Sequence, residues 1–196
     1  MRRTRDSGEK RKKLLVYLIG FIMVSSAFGV IFFGFNSGGT NPLVYDKYKF
    51  TYKGGVLSTM VNGKEALFSY LPSDVEPIMV NGDAISRLKN AVEIDLTSDF
   101  NDTFAESIAL AQFQMDATLS NFNIFLRKGF TNETTSNLQV ITCKDSTSFV
   151  PVIYFKGANT TSVYLENSCI IAEAVNQADV IRVKDRLIYG MLGIIK

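Results

Sequence analysis

The chain has 196 residues, 21 basic and 19 acidic side chains, two cysteines and no histidine. Without histidine it has no Ser-His-Asp or Cys-His catalytic set and no imidazole-ligated metal site. Its net charge of +2 is concentrated at one end, so the alkaline balance is a topology signal and not a nucleic-acid surface.

Met1 to Lys13 carries seven basic and two acidic residues, a net +5, and the rest of the chain carries −3. Leu14 to Phe35 follows, with 22 residues and no charge. As a helix it spans about 33 Å, enough for a hydrocarbon core of about 30 Å. Basic residues stay on the cytoplasmic side. The expectation is a single-pass anchor in the cell membrane, with tail 1–13 inside, span 14–35, and the remainder extracytoplasmic. The basic tail also favours anionic lipid heads. A cleavable signal peptide would end near Ser25-Ser-Ala27, but the apolar run continues through Phe28, Val30, Ile31, Phe32 and Phe33. A buried core helix does not explain the basic flank. Ser25 and Gly29 form one small-xxx-small pair, which ordinary membrane-helix composition also explains. Residues 36–42, NSGGTNP, are a flexible linker that reaches only about 25 Å when fully extended. The outer domain is therefore tethered close to the bilayer.

Residues 43–196 are enough for one domain with a real core. They open as a β-meander. Asp46 to Tyr52 alternates, with Tyr48, Phe50 and Tyr52 on one face, and Gly54-Gly55 turns the chain. Val56 to Val61 precedes Asn62-Gly63, a type I′ hairpin signal because both positions need positive φ. Ala66 to Leu71 returns. Pro72 and Pro77 bracket a loop, Ile78 to Val80 is a short strand, and Asp83 caps a small helix through Leu88. Ala91 to Thr97 alternates as a strand with one buried face. Thr103 and Glu106 suggest a capping box for a long helix whose apolar positions run from Phe104 to Leu126, closed by Arg127, Lys128 and Gly129. Leu138 to Cys143 reads as the next strand of a βαβ unit. Val150 to Phe155 and Ser162 to Leu165 read as a hairpin, and Cys169 to Ala174 as the last strand. A closing helix from about Ala178 to Leu192 has the stripe Val180, Val183, Leu187, Met191 and Ile194. Its Arg182, Asp185 and Arg186 are expected to face water or one another. The fold class is α/β or α+β, one mixed sheet with helices on at least one face.

Cys143 and Cys169 both fall in the outer domain, where an isolated pair is most simply a disulfide; two buried thiols are the alternative. Three sequons share that domain, at Asn101, Asn132 and Asn159, each at an expected loop or element end. Asp95, Asp99 and Asp102, with Asp145, are candidate ligands for Ca²⁺ or Mg²⁺ if two parallel strands gather them at their carboxyl ends. Helix-dipole and turn roles also account for Asp99, Asp102 and Asp145. Glu93 with Glu173 or Asp95 is a weaker candidate pair for glycoside hydrolysis. Lys144 and Ser146 fit a solvated loop better than a Ser-Lys arrangement, and no glycine-rich phosphate loop is present.

YLPSDVEPI at Tyr70 to Ile78, ITC at Ile141 to Cys143, NSCII at Asn167 to Ile171 and DRLIYGMLGI at Asp185 to Ile194 resemble a group of short, uncharacterised archaeal proteins with one amino-terminal membrane span. The resemblance covers most of the outer domain. It implies an archaeal cell-surface location and a paired-cysteine α/β domain, and it implies no activity. The functional expectation is a membrane-anchored interaction domain, an accessory subunit or scaffold in contact with a membrane or envelope protein. The alternative is a surface receptor or carboxylate- or metal-dependent enzyme using the aspartates.

Overall fold

The computed structural model describes Tyr17, Ile19, residues 43–133 and residues 139–196. The expected span and linker lie outside the described residues, apart from Tyr17 and Ile19, both helical. Among the described residues no helix is long and apolar enough to cross a membrane.

The domain from Leu43 onward begins with a four-stranded antiparallel sheet, β1 (Leu43–Tyr45), β2 (Tyr48–Lys53), β3 (Val56–Val61) and β4 (Lys64–Phe68), in sequential order. Its turns follow from local chemistry. Asp46 has φ 51°, and the Gly54-Gly55 and Asn62-Gly63 pairs are both at positive φ, as two-residue hairpins require. Of the three alternating aromatics, Phe50 is in the core and Tyr52 is exposed. Instead of a loop, Pro72–Val75 forms the short helix α1, with Pro72 in its first turn, where a missing N–H costs nothing. After β5 (Met79–Val80), α2 (Gly82–Leu88) is capped by Asn81, whose side chain accepts from the Asp83 amide. The cap is therefore Asn81 and not Asp83.

The second sheet is mixed, with order β5-β9-β10-β8-β6-β7. Its strands are β6 (Glu93–Ser98), β7 (Phe125–Phe130), β8 (Val152–Gly157), β9 (Ser162–Glu166) and β10 (Cys169–Ala174). β7, β6, β8 and β10 run parallel to one another, and β9 is antiparallel to β10. The βαβ unit is real, but its second strand is not Leu138 to Cys143. Helix α3 (Ala105–Leu119) stops earlier than its apolar period suggests. A 3-10 turn follows, Asn123 takes φ 60°, and Leu126, Arg127, Lys128 and Gly129 belong to β7. Residues 134–138 lie outside the described residues. Val140 makes one bridge to Phe130, and Cys143–Asp145 is a 3-10 turn. The expected β8–β9 hairpin is also corrected: β10 lies between those strands, and the tight turn is at Asn167, φ 55°, joining β9 to β10.

One face of this sheet is apolar. Ile94, Leu96, Ile153, Phe155, Ile170 and Ala172 join the main core with Ile108 and Met115 of α3 and Val183 and Leu187 of α4 (Gln177–Met191). The other face carries a smaller core of Ile141, Val152, Cys169 and Ile171. β6 is therefore covered on both sides: Asp95 and Thr97 are as enclosed as Ile94 and Leu96, and the expected single buried face is wrong.

Residues 139–149 form a strap over that second face. The disulfide Cys143–Cys169 fixes it to the start of β10. Thr97 Oγ1 donates to the Ile141 carbonyl at 2.6 Å, and Ser146 Oγ to the Ser168 carbonyl at 2.5 Å. A Cβ on Gly129 would lie 2.6 Å from the Gln139 carbonyl oxygen, so the strap's close approach to β7 requires glycine there.

Helix α4 is less amphipathic than its sequence implies. Asp185 is fully enclosed, Arg186 is 8% exposed and Lys184 1%; of the charges expected to face water, only Arg182 is substantially exposed. Asp185 Oδ2 accepts from the Ser69 and Tyr70 amides, both at 2.9 Å, and Oδ1 from Lys184 Nζ at 2.5 Å. Tyr189 Oη donates to the Tyr70 carbonyl at 2.7 Å. Its ring stacks on Phe68 at 3.9 Å and meets Phe50 edge-on at 6.1 Å.

Asp185→Ala leaves two backbone amides and a buried ammonium without their acceptor. It should lower stability by about 3–5 kcal/mol, read by denaturant unfolding of the oxidised protein. Reducing the disulfide, whose cysteines are 26 positions apart, should cost about 3 kcal/mol in the same experiment.

Candidate functional site

The order β10-β8-β6-β7 contains a reversal. From β6 the chain crosses through α3 to β7 on one side; from β8 it passes through β9 to β10 on the other. Between β6 and β8 lies a topological switch point, the place where open α/β sheets hold ligands beyond their carboxyl ends. A cleft of about 520 Å³ opens there. The β6–α3 loop supplies Asp99, Asn101, Asp102 and Phe104, β8 supplies Tyr154 and Lys156, and the loop after β8 supplies Asn159.

Asp102 builds the cleft wall. Its Oδ1 accepts from the Phe104 amide at 2.8 Å and its Oδ2 from the Gly157 amide at 2.9 Å, joining the loop before α3 to the end of β8. This bond caps the approach to α3 in place of the expected Thr103–Glu106 box, since no side-chain cap bond forms at Phe104. Asp99 Oδ1 accepts from the Asn101 amide at 2.8 Å. Burial raises the Tyr154 hydroxyl pKa, with Asp99 and Asp102 adding to the rise against Lys156.

The four candidate aspartates do not converge. Asp95 lies within β6, 0% exposed, and is bound by Arg127 through Nε at 2.7 Å and Nη2 at 2.6 Å. The Asp95 hydrogen bonds raise the Arg127 pKa despite its partial burial, with Glu93 a further contributor at 3.8 Å. Asp145 belongs to the strap, near the opposite end of β8. Its Oδ2 accepts from the Thr142 amide at 2.7 Å and hydroxyl at 2.9 Å, and these bonds hold its carboxyl below the usual range. Only Asp99 and Asp102 reach the carboxyl ends. Among the described residues no group of three acidic or cysteine side chains is arranged to hold a metal ion.

Of the glycosidase pairings, Glu93 and Asp95 share one face of β6, but both are next to Arg127, which binds Asp95 at 2.6 Å and lies 3.8 Å from Glu93; Glu93 with Glu173 is not assembled. Asp95 registers with Val152 and Glu173 with Lys156. Four residues along the strand is roughly 13 Å, and β8 intervenes, so the carboxyls exceed the roughly 6.5–9.5 Å of an inverting pair. Glu93 is farther along β6. Ser146 is occupied by the Ser168 carbonyl and the Val152 amide, which is a structural role.

Beside the cleft, on the sheet face not covered by helices, is a cluster that sequence spacing does not reveal. Lys156 Nζ lies 3.1 Å from Glu173 Oε1, Tyr164 Oη donates to the same oxygen at 3.0 Å, and Ser162 Oγ to Oε2 at 3.4 Å. Burial disfavours the Glu173 charge, but Lys156, Tyr164 and Ser162 together outweigh it and hold the carboxyl below its ordinary range. Glu173 and Tyr164 keep Lys156 raised against its own burial. These residues sit on three strands that become neighbours only through the β8–β10–β9 order.

Two surface features complete the region. Asn101 and Asn159, the asparagines of two sequons, both line the cleft; Asn101, Asn132 and Asn159 are all exposed. Helix α3 is apolar on both sides. It buries Ile108, Ala111, Met115 and Leu119, while Ala109, Leu110, Phe113 and Ala117 face out, with Phe113 66% exposed.

Because the Glu173 carboxyl is held low, its contribution to stability is present above the ordinary glutamate value of 4.5 and is lost as pH falls through the lower folded value. Glu173→Gln should therefore flatten the acid limb of the stability curve below that pH. Denaturant unfolding across the acid range measures it; an acid limb unchanged by the substitution would contradict the assignment.

Comparison with protein-family models, with curated proteins and with solved structures finds no match, so the reading of this site rests on its own chemistry.

Proposed function

We infer that the protein is a membrane-anchored extracytoplasmic interaction domain, an accessory subunit or scaffold of a cell-envelope complex. The outward face of α3 is the observation that carries this reading. A surface helix normally places charge opposite its core stripe. Here Leu110 and Phe113 are exposed between Ala109 and Ala117, and such an apolar face marks a contact surface. The occupant this face fits is an apolar helix or strand surface of a membrane protein. A seven-residue tether, from Asn36 to Pro42, keeps the domain where such proteins present their outer segments. The sequons support the choice of face: no sequon asparagine lies on α3, so glycans would leave it open.

A second reading is favoured by the switch-point cleft. Its polar lining, which includes Lys156, Asp99 and Asp102, suits a small polar ligand or, at the two aspartates, Ca²⁺ or Mg²⁺. Glycans on Asn101 and Asn159 would crowd its mouth, which is why it ranks second.

The deciding experiment places a photoreactive residue at Phe113 in the full chain in its native cells, with a control at Lys47 on the meander. The expected result is one stoichiometric membrane protein cross-linked from Phe113 and not from Lys47. Leu110→Glu with Phe113→Glu should abolish it, since losing two apolar contacts of about 1.5 kcal/mol each is at least roughly 100-fold in affinity. Equal cross-linking from both positions, or cross-linking only to a second copy of this chain, sinks the accessory-subunit reading.

A further inference from the structure

Charge divides the domain from Leu43 onward. Residues 43–65 carry Lys47, Lys49, Lys53 and Lys64 against Asp46 and Glu65, a net +2. Residues 66–196 carry 10 basic and 15 acidic side chains, a net −5. The positive segment is the meander, and it is the first element after the seven residues 36–42.

Strand alternation collects this charge on one face. Residues two apart along a strand share a side of the sheet. The cross-strand pairs Val44 with Lys49, Thr51 with Ser58 and Met60 with Glu65 therefore lie on one side, together with Lys53. The other side holds Phe50, Leu57 and Phe68, all in the main core. On the outer side Val44 is 63% exposed and Met60 59%, and Lys49, Thr51 and Lys53 are exposed as well. Lys47 is exposed in the turn that joins β1 to β2, beside Asp46. Glu65 is already engaged, by Lys53 at 2.8 Å and by the Ser58 hydroxyl at 2.6 Å. Lys47 and Lys49 are thus the cations of this face that no acid side chain binds among the described residues.

We propose that the outer face of the meander rests on the anionic headgroups of the bilayer that holds the chain's own anchor, with Lys47 and Lys49 at the lipid phosphates and Val44 and Met60 against the headgroup layer. The proposal rests on the anchor reading and is independent of the partner of α3. Charge complementarity selects the occupant. Basic residues near an anionic bilayer are drawn to it, about fivefold in binding per lysine, and the same field repels the net negative remainder of the domain. Tether length supplies the second argument. Seven residues reach about 25 Å at most, so the element that follows them is the one held within reach of the headgroups.

The test uses the full chain in lipid nanodiscs, with ¹³C-methyl-labelled methionine and a neutral gadolinium chelate on a small fraction of the headgroups. Met60 and Met79 are matched probes. They are 59% and 71% exposed, but Met79 lies on β5, at the edge of the other sheet. In discs containing phosphatidylglycerol the Met60 methyl should relax several-fold faster than that of Met79. The difference should vanish in discs of phosphatidylcholine alone, and at 1 M salt, where the Debye length falls to about 3 Å. Lys47→Glu with Lys49→Glu should also remove it; the methyl of Met115, which is 0% exposed, reports that this double variant keeps its core. Equal relaxation of Met60 and Met79 in anionic discs, or a Met60 effect unchanged in neutral discs or in the double variant, overturns the docking and leaves the anchor standing. A chain that elutes apart from the discs overturns the anchor and this proposal with it.

Discussion

A carboxylate with no exposed surface is the constraint from which much of this domain follows. Asp185 sits inside α4, and burial pushes its pKa up against the pull of Lys184 and of the Tyr70 and Ser69 amides. Those amides follow directly after β4, where the ladder with β3 has ended. Backbone donors enclosed at a strand end need an acceptor, and α4 provides it. One turn later, Tyr189 matches the Tyr70 carbonyl. The same helix face thus completes the hydrogen bonding of one piece of backbone on both its donor and acceptor sides. Phe50, Phe68 and Tyr189 then close around that junction as an aromatic cluster. The antiparallel meander is held to the rest of the domain by polar matching at its centre and apolar packing around it. Since α4 also packs on α1, α2, α3 and β10, displacing it would disturb every layer.

The second sheet has a different problem, because its described helices cover one face only. A parallel sheet is normally buried on both sides. The strap of residues 139–149 covers the first part of the other face, and the disulfide holds it to β10. The rest of that face is made polar instead. Asp95 with Arg127, and Glu173 with Lys156 and Tyr164, occupy positions where an all-parallel sheet would carry Val or Ile. The polar cluster is therefore what a half-covered sheet presents to water, and it also lines the approach to the cleft. Glu173 Oε1, shared by Lys156 and Tyr164, ties β8, β9 and β10 together on that face.

Local signals in the sequence were reliable wherever a residue's own backbone preference decided the outcome. Asn62-Gly63 and Gly54-Gly55 need positive φ, and the meander turns there. The cysteine pair, β10 and α4 were equally legible. Misreadings arose where packing overrode a period. Phe122 and Leu126 continue the spacing of Met115 and Leu119, so they read as helix, yet Asn123 at positive φ breaks the helix and Leu126 enters a strand. Val92, Ile94 and Leu96 alternate with polar residues, so Asp95 and Thr97 read as exposed, whereas Arg127 and the Ile141 carbonyl, 32 and 44 positions away, make their burial possible. Arg182, Asp185 and Arg186 looked alike in sequence. Only the position of the Ser69–Tyr70 backbone separates a fully buried strut from a surface charge. The candidate site was legible in part: Asp99 and Asp102 were placed at strand ends correctly, while Lys156, Tyr164 and Glu173 required the strand order.

The outward side of α3 carried a signal of its own. Ala109, Leu110, Phe113 and Ala117 recur at helical spacing, but the stronger stripe of Ile108, Met115 and Leu119 concealed them. Two apolar stripes on one helix leave few positions for charge. Glu106 lies in the first turn, and Asp116 is held by Lys128 at the flank. A surface helix places its polar residues opposite its core stripe, and α3 exposes Leu110 and Phe113 there instead. Moving Leu110 and Phe113 out of water is worth more, side chain for side chain, than filling the polar cleft, whose groups already satisfy one another. That imbalance is the physical reason for weighing protein contact above ligand capture in this domain.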